Sequence, residues 1–371
     1  MSESHRFQPA SVAVEPYSVL TKDGTLTAEA APMKDDATLE ALELMILART
    51  FDEKATKLQR QGRFGTFSSV RGQEASVVGA ASALDPRRDW VVPQYRELPA
   101  LLRQGLPLEN FALYFMGHPG GGVIPPDVNV LPIQISLAAQ LPQAVGLAWG
   151  LRHQGLDGVV TTFVGDGASS EGDFHESLNL AGLRKAPVIF FLQNNGWAIS
   201  TPRRAQSAAR TLAERAPGYG IDGVLVDGND LFAVNAVMQE AVRRARAGDG
   251  PTLIESLTWR AGAHNTADDP TRYVTDDDEA PWAGTDPIQR VETFLAARGV
   301  WTEELAARIR LRCTTEVERA LGVARQTPPA GHAALFDHVY AVPPDRLNEQ
   351  RARWARNNAP DGSAPTRTTE S

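Results

Sequence analysis

Two polar clusters stand at the ends of apolar runs where they could hold a charged ligand. Gly165-Asp166-Gly167 follows Val159-Val160-Thr161-Thr162-Phe163-Val164, and Asn194-Asn195 follows Val188-Ile189-Phe190-Phe191-Leu192. About 30 residues separate them, the length of one strand-helix-strand unit. Both clusters are therefore expected side by side at the carboxyl ends of neighbouring parallel strands. A carboxylate and a carboxamide converging there suit a hard cation that takes oxygen ligands and leaves positions for a phosphorylated ligand, as magnesium does when it holds a diphosphate. Gly165 and Gly167 let the backbone turn sharply and approach phosphate oxygens. The N–H groups of Ala168 and Ser169 are expected to open the next helix at its positive end. Either cluster alone is a common turn. The signal is the pair, each member following a strand of the buried type.

This order of parts resembles the thiamine-diphosphate fingerprint. The resemblance implies that Asp166 gives a carboxylate oxygen to magnesium, Asn195 its side-chain oxygen and Trp197 its carbonyl, with the diphosphate and a water completing an octahedron. It extends well beyond the two clusters. Gly165 to Pro202, residues 255 to 273, Arg71 to Leu84, Pro93 to Glu97 and Ala138 to Gly150 are all similar to the alpha subunit of the decarboxylating first component of 2-oxoacid dehydrogenase complexes, pyruvate and branched-chain type. Coverage runs from roughly Ala37 to Trp354. A chain of that family decarboxylates a 2-oxoacid oxidatively and passes the acyl group to a lipoyl group on the acyltransferase component. The domain that holds the aminopyrimidine belongs to a separate beta subunit, which implies a tetramer of two alpha and two beta chains. Val128 to Gln134 resembles bacterial pyruvate-type chains, while the segments around Tyr95, Glu171 and Trp197 are equally similar to branched-chain ones. The reading leans to pyruvate, with 3-methyl-2-oxobutanoate as the alternative and acetoin as a further one.

Carried over residue by residue, the resemblance gives His264 a catalytic role. It lies in a polar loop, Ala263 to Pro270, facing the cofactor and the incoming lipoyl arm, and an imidazole can give or take a proton there near neutral pH. The alternative for His264 is a loop-ordering role, bonded to Asp268 or Asp269. Arg260, Arg272 and Tyr273 would order the same loop. Tyr95 and Arg96 would touch the cofactor, Arg96 by pairing a diphosphate oxygen. Gln140, with Ile135 to Leu137, would form the wall behind the thiazolium. His175 and Glu176 are read as packing or interface residues. His118 stands beside Pro119, and Gly120 occupies the place of a second histidine found in some relatives. Asn265 occupies a position that is a phosphorylated serine in animal relatives, and Ala267 the other such site, leaving Thr266 as the hydroxyl nearby.

These residues need a scaffold, and the composition supplies one. The chain has 371 residues, 42% of them hydrophobic, enough for a large core. No apolar stretch approaches the ~20 residues that span a bilayer. Met1 to Arg6 lacks the apolar region of a signal peptide, so a cytoplasmic location is expected. The single cysteine, Cys313, excludes an internal disulfide framework. A net charge of −8 argues against a nucleic-acid partner. Residues 1–36 read as an extended arm, 37–356 as the cofactor-binding domain and 357–371 as a disordered tail. Within the domain, Leu39, Leu42, Met45 and Ile46 recur at helical spacing with Thr38 as the cap. The small residues from Ala75 to Ala83 predict a tightly packed helix, and residues 302–325 an amphipathic one. Val224 to Val226 and Thr252 to Leu257 predict two further strands after turn signals. The expected fold class is α/β, a doubly wound, mostly parallel sheet with helices on both faces.

Overall fold

The computed structural model describes residues 14–27, 33–337 and 339–358. Five parallel strands form its centre: β1 (Trp90–Val92), β2 (Val160–Gly165), β3 (Val188–Asn194), β6 (Asp222–Asp227) and β7 (Thr252–Leu257), in the spatial order β1-β2-β3-β7-β6. A separate two-stranded ribbon joins β4 (Trp197–Ala198) to β5 (Thr201–Pro202). β3 is apolar along most of its length, and β2 is buried throughout with two threonines, Thr161 and Thr162, among its apolar residues, because the sheet is covered on both sides. Alternate side chains enter two separate cores. Phe163, Ile189, Phe191 and Ile254 pack with helices α1 (Asp35–Arg60), α2 (Glu74–Ser82) and α7 (Leu231–Ala247). Val164, Val188, Phe190 and Leu253 pack with α5 (Gln140–His153) and α6 (Gly172–Arg184) on the other face. The α/β class with helices on both faces is thus the observed architecture.

One local expectation is corrected. Helix α1 begins at Asp35, so Thr38 is not its cap; the Thr38 hydroxyl donates back to the Lys34 carbonyl at 3.0 Å from inside the first turn, which Asp35 and Asp36 make acidic. The amphipathic charged helix lies where the periodicity puts it, as Glu303–Gln326. Helix Asp345–Asn357 reaches the residue where the tail was expected to begin; residues 359–371 lie outside the described residues, as do residues 1–13 and 28–32 of the arm. The described part of the arm is tied down. Tyr17 bridges Val226 on the outer edge of β6, and the N–H groups of Val19 and Leu20 both donate to Asp230 Oδ2 at 2.6 Å. Asp230 also caps α7 through its other oxygen. Among the described residues no helix is long and apolar enough to cross a membrane.

The run of small residues in α2 has a packing cause. A Cβ on Gly79 would stand 2.8 Å from Val234 Cγ1 and 2.9 Å from its Cβ, so the crossing of α2 over α7 closes only without a side chain there. Gly79→Ala should therefore lower stability by about 1–3 kcal/mol, read as a drop in the denaturant midpoint. An unchanged midpoint in the variant would contradict this packing.

Candidate active site

Strand register builds the site. Gly165 pairs with Gln193 across β2 and β3, and Asn194 pairs with Leu257 across β3 and β7. Asp166 and Asn195 therefore emerge together just past the carboxyl edge. They line a cavity of about 450 Å³ together with Gly165, Gly167, Ala168 and Trp197 from the same edge, Tyr95 and Arg96 from the segment before α3 (Leu98–Arg103), and His264 from the loop after β7. A Cβ on Gly167 would come within 2.5 Å of Ala198 Cβ, so the first turn after β2 can lie against the β4–β5 ribbon only as glycine. A Cβ on Gly165 would meet nothing within 4 Å. One expectation changes here. The residues after Asp166 form a 3-10 turn, Gly167–Ser170, and the helix starts only at Gly172. The Ser169 N–H is consumed by the Asp166 carbonyl at 3.2 Å.

Asp166 is 2% exposed. Its Oδ2 accepts a long bond of 3.4 Å from Gln206, while Oδ1 is buried with no partner among the described residues. Burial pushes its pKa up to about 6. A buried carboxylate left half satisfied is the group that a cation completes. Asn195 Oδ1 accepts the Trp197 N–H at 3.2 Å and keeps a second lone pair, and Nδ2 donates to Gln73 Oε1 at 3.3 Å. The side chains present fit a magnesium ion with a diphosphate: one anionic oxygen, one amide oxygen, and open space in front of Gly165.

Two glutamines belong to this site that motif reading passed over. Gln94 Oε1 accepts the Gly165 N–H at 3.2 Å, and its Nε2 is buried without a partner among the described residues. Gln193 likewise lines the cavity with an unpartnered oxygen. The available signal was a polar side chain ending an otherwise apolar strand, and a glutamine directly before Tyr95.

His264 is held in one tautomer. Arg96 Nη2 lies 3.0 Å from His264 Nδ1 and donates to the His264 carbonyl at 2.8 Å. Guanidinium has only donors, so Nδ1 accepts and the proton sits on Nε2. Burial, with the cations of Arg96 and Arg260, pushes this imidazole down to about 4. With Nδ1 facing Arg96, the neutral ring offers its N–H at Nε2. Asp268 accepts the backbone N–H of His264 at 2.7 Å and the Tyr273 hydroxyl at 2.5 Å, and Arg260 donates to that hydroxyl at 2.8 Å. Asp268 thus orders the loop through its backbone, leaving the ring to Arg96. Arg272 is exposed and takes no part.

One further residue, Gln140, stands elsewhere than expected, and Arg96 and His118 are held by neighbours. Arg96 is engaged by Ser69 O at 2.7 Å and by His264, although it lines the cavity. Gln140, the first residue of α5, donates to the Phe163 carbonyl at 2.7 Å inside the protein and is not part of the cavity wall, while Ile135 and Leu137 are. His118 accepts the Gly120 N–H at 3.0 Å and contacts Pro328 O, also away from the cavity. His175 bonds the Tyr219 hydroxyl at 2.5 Å as a packing residue. Thr266 is pinned on both sides, its N–H to Phe67 O and its hydroxyl to the Phe67 N–H. At the tip between β4 and β5, Ile199 has φ of 55°, and its carbonyl accepts from Arg260 at 2.9 Å.

Residues 42–332 match the family model described as dehydrogenase E1 component. The chain is 42% identical over 339 residues to the pyruvate dehydrogenase E1 component subunit alpha of Staphylococcus epidermidis, with 91% of each chain covered. It is 41% identical over 339 residues to the protein of the same name from Staphylococcus aureus, again with 91% of each covered.

One pH dependence follows from the loop that carries Tyr95 and Arg96. Glu97 is buried and its Oε2 accepts the N–H groups of Gln94 and Arg96 at 2.9 and 3.0 Å. Burial pushes its pKa up to about 7. The folded chain therefore holds this proton more tightly than the unfolded chain, whose value is about 4.3. The stability due to the protonated form is full below that value and is lost as pH rises towards 7. Glu97→Gln keeps an acceptor but cannot ionise, so its melting temperature relative to the parent should rise between pH 5 and pH 8. A difference that stays constant across that range would refute the assignment.

Proposed function

The chain belongs to the dehydrogenase E1 component family, and we propose that it acts as the alpha subunit of a thiamine-diphosphate-dependent 2-oxoacid dehydrogenase whose substrate is pyruvate. The observation that carries this reading is the buried, half-satisfied carboxylate of Asp166 beside Asn195 at the carboxyl edge of the sheet. When bound, thiamine diphosphate supplies an electron sink for loss of carbon dioxide from a 2-oxoacid. Asp166 Oδ1, Asn195 Oδ1 and the Trp197 carbonyl would hold its magnesium. Gln94 Nε2, buried without a partner among the described residues, is a donor suited to a diphosphate oxygen. Tyr95 lies edge-on to His264 with ring centroids 6.4 Å apart, fixing the imidazole from a second side. His264 holds its proton at Nε2 and can present that N–H to a reacting sulfur or oxygen. Phe67 and Phe115 limit access of water to the cavity.

The cavity mouth supports a missing partner. Ile135, Leu137 and Ile199 line it and are 54%, 42% and 55% exposed. Large apolar side chains gathered round a polar site are surface that another chain covers, here a beta subunit. The lipoyl acyltransferase component would then take the acyl group. The pyruvate assignment follows the relatives' names and the likeness of Val128 to Gln134.

Asp166→Ala should abolish cation-dependent binding of thiamine diphosphate, because it removes the one anionic ligand. Calorimetry on the assembled protein measures this, and unchanged affinity would overturn the site. The purified chain should release no carbon dioxide from pyruvate alone and should do so once co-expressed with its beta subunit. A 2-oxoacid panel with an artificial electron acceptor then tests the substrate, and faster turnover of 3-methyl-2-oxobutanoate than of pyruvate would reverse the assignment.

A further inference from the structure

The residue before α2 is a fully buried carboxamide, followed by the buried Glu74 and Ser76. Gln73 is 0% exposed, and its Nε2 has no partner among the described residues. Leaving a buried amide N–H unpaired costs about 1–3 kcal/mol, so the side chain is not there for stability. Its oxygen is fully used. Oε1 accepts Asn195 Nδ2 at 3.3 Å and Gln193 Nε2 at 3.5 Å. Hydrogen-bond direction is set from the other end, because the backbone N–H of Trp197 can only donate and takes Asn195 Oδ1 at 3.2 Å. The amide of Asn195 is therefore polarised across the site, NH₂ towards α2 and oxygen towards the Trp197 backbone.

We propose that Gln73 is a positioning residue that locks the side-chain oxygen of Asn195 towards the cation of the diphosphate site. The inference rests on the metal-holding role given to Asp166 and Asn195 above. The half-turn of Asn195 that would point its NH₂ at the cation is opposed at both ends: it would set that NH₂ against the Trp197 N–H and the Asn195 oxygen against the Gln73 oxygen. Such a turn exchanges a ligand for two N–H groups and moves no other atom, so steric packing alone does not prevent it.

The test uses the full-length chain co-purified with its beta subunit, and manganous ion as the probe, its free concentration read by electron paramagnetic resonance at saturating thiamine diphosphate. Gln73→Met fills the space without an acceptor and should weaken manganous-ion binding about tenfold or more, the usual effect of losing an outer partner of a ligand. Asn195→Asp supplies the discriminating background. A carboxylate presents an oxygen either way round, so adding Gln73→Met to Asn195→Asp should change affinity less than twofold. An equal loss in both backgrounds would mean that Gln73 only shapes the site, and no loss in the native background would overturn the proposal outright. Should the methionine variant not assemble, Gln73→Ser fits the same space, is too short to reach Asn195, and carries the same expectation. If Asp166→Ala abolishes manganous-ion binding while Gln73→Met leaves it intact, this inference fails and the site stands. If Asp166→Ala leaves binding intact, the site itself fails.

Discussion

The pairing of β2 with β3 is the constraint on which the rest of this molecule depends. Both strands are covered on both faces, so their interiors admit few polar groups, and the side chains that could bind a charged ligand are confined to the strand ends. Parallel pairing makes those ends level. With Gly165 opposite Gln193, the turn carrying Asp166 and the turn carrying Asn195 open on the same side at the same height. A slip of one residue would exchange the two cores and send Phe163 and Phe191 to the face that now holds Val164 and Phe190. The site geometry and the core packing are thus enforced by the same ladder of hydrogen bonds.

Around that edge the polar groups are mostly neutral. Gln73, Gln94, Gln193 and Asn195 supply carboxamides, Asp166 brings an acid beside Asn195, and Glu97 is a second acid in the lining. A buried site built this way avoids the desolvation cost of several charges and keeps donors and acceptors aimed before any ligand arrives. Arg96 lines the cavity and Arg260 lies behind it. Arg96 and Arg260 hold His264 and its loop, and both lower the basicity of the imidazole. Buried acids act as ties for backbone: Glu97 gathers the N–H groups of Gln94 and Arg96, and Asp52 gathers those of Val70 and Arg71.

How much of this could be read beforehand differs by the kind of information. Period and strand ends are local properties, so four of the five strands, the helices around Leu42 and Ala80 and the meeting of Asp166 with Asn195 were legible from the run of residues, whereas the three-residue β1 was too short to show a period. Side-chain direction is not local. Gln140 sits at the start of α5, where the rotation of the helix on the sheet turns its amide to the Phe163 carbonyl, and no spacing rule reveals that rotation. Arg96 was read as a diphosphate partner from the resemblance, and its bonds to Ser69 O and His264 could not be foreseen from the sequence. The turn after Asp166 tightened into a 3-10 form because Ser169 bonds back to the Asp166 carbonyl, a choice made by two atoms. Gln73 escaped notice because a buried amide differs from a surface one only in what surrounds it.

The position of β7 between β3 and β6 has a further consequence, for the order of assembly. β6 precedes β7 in the chain but touches the sheet only through it. On a ribosome, β6 therefore emerges with no docking strand, and β3 keeps one unpaired flank until residues beyond Leu257 have been made. The contact of Tyr17 with Val226, which seals the last edge, spans most of the chain. Such non-local closure is slow, so this polypeptide passes through a half-built sheet with an open apolar flank, the state in which chaperones and sticky neighbours compete for it.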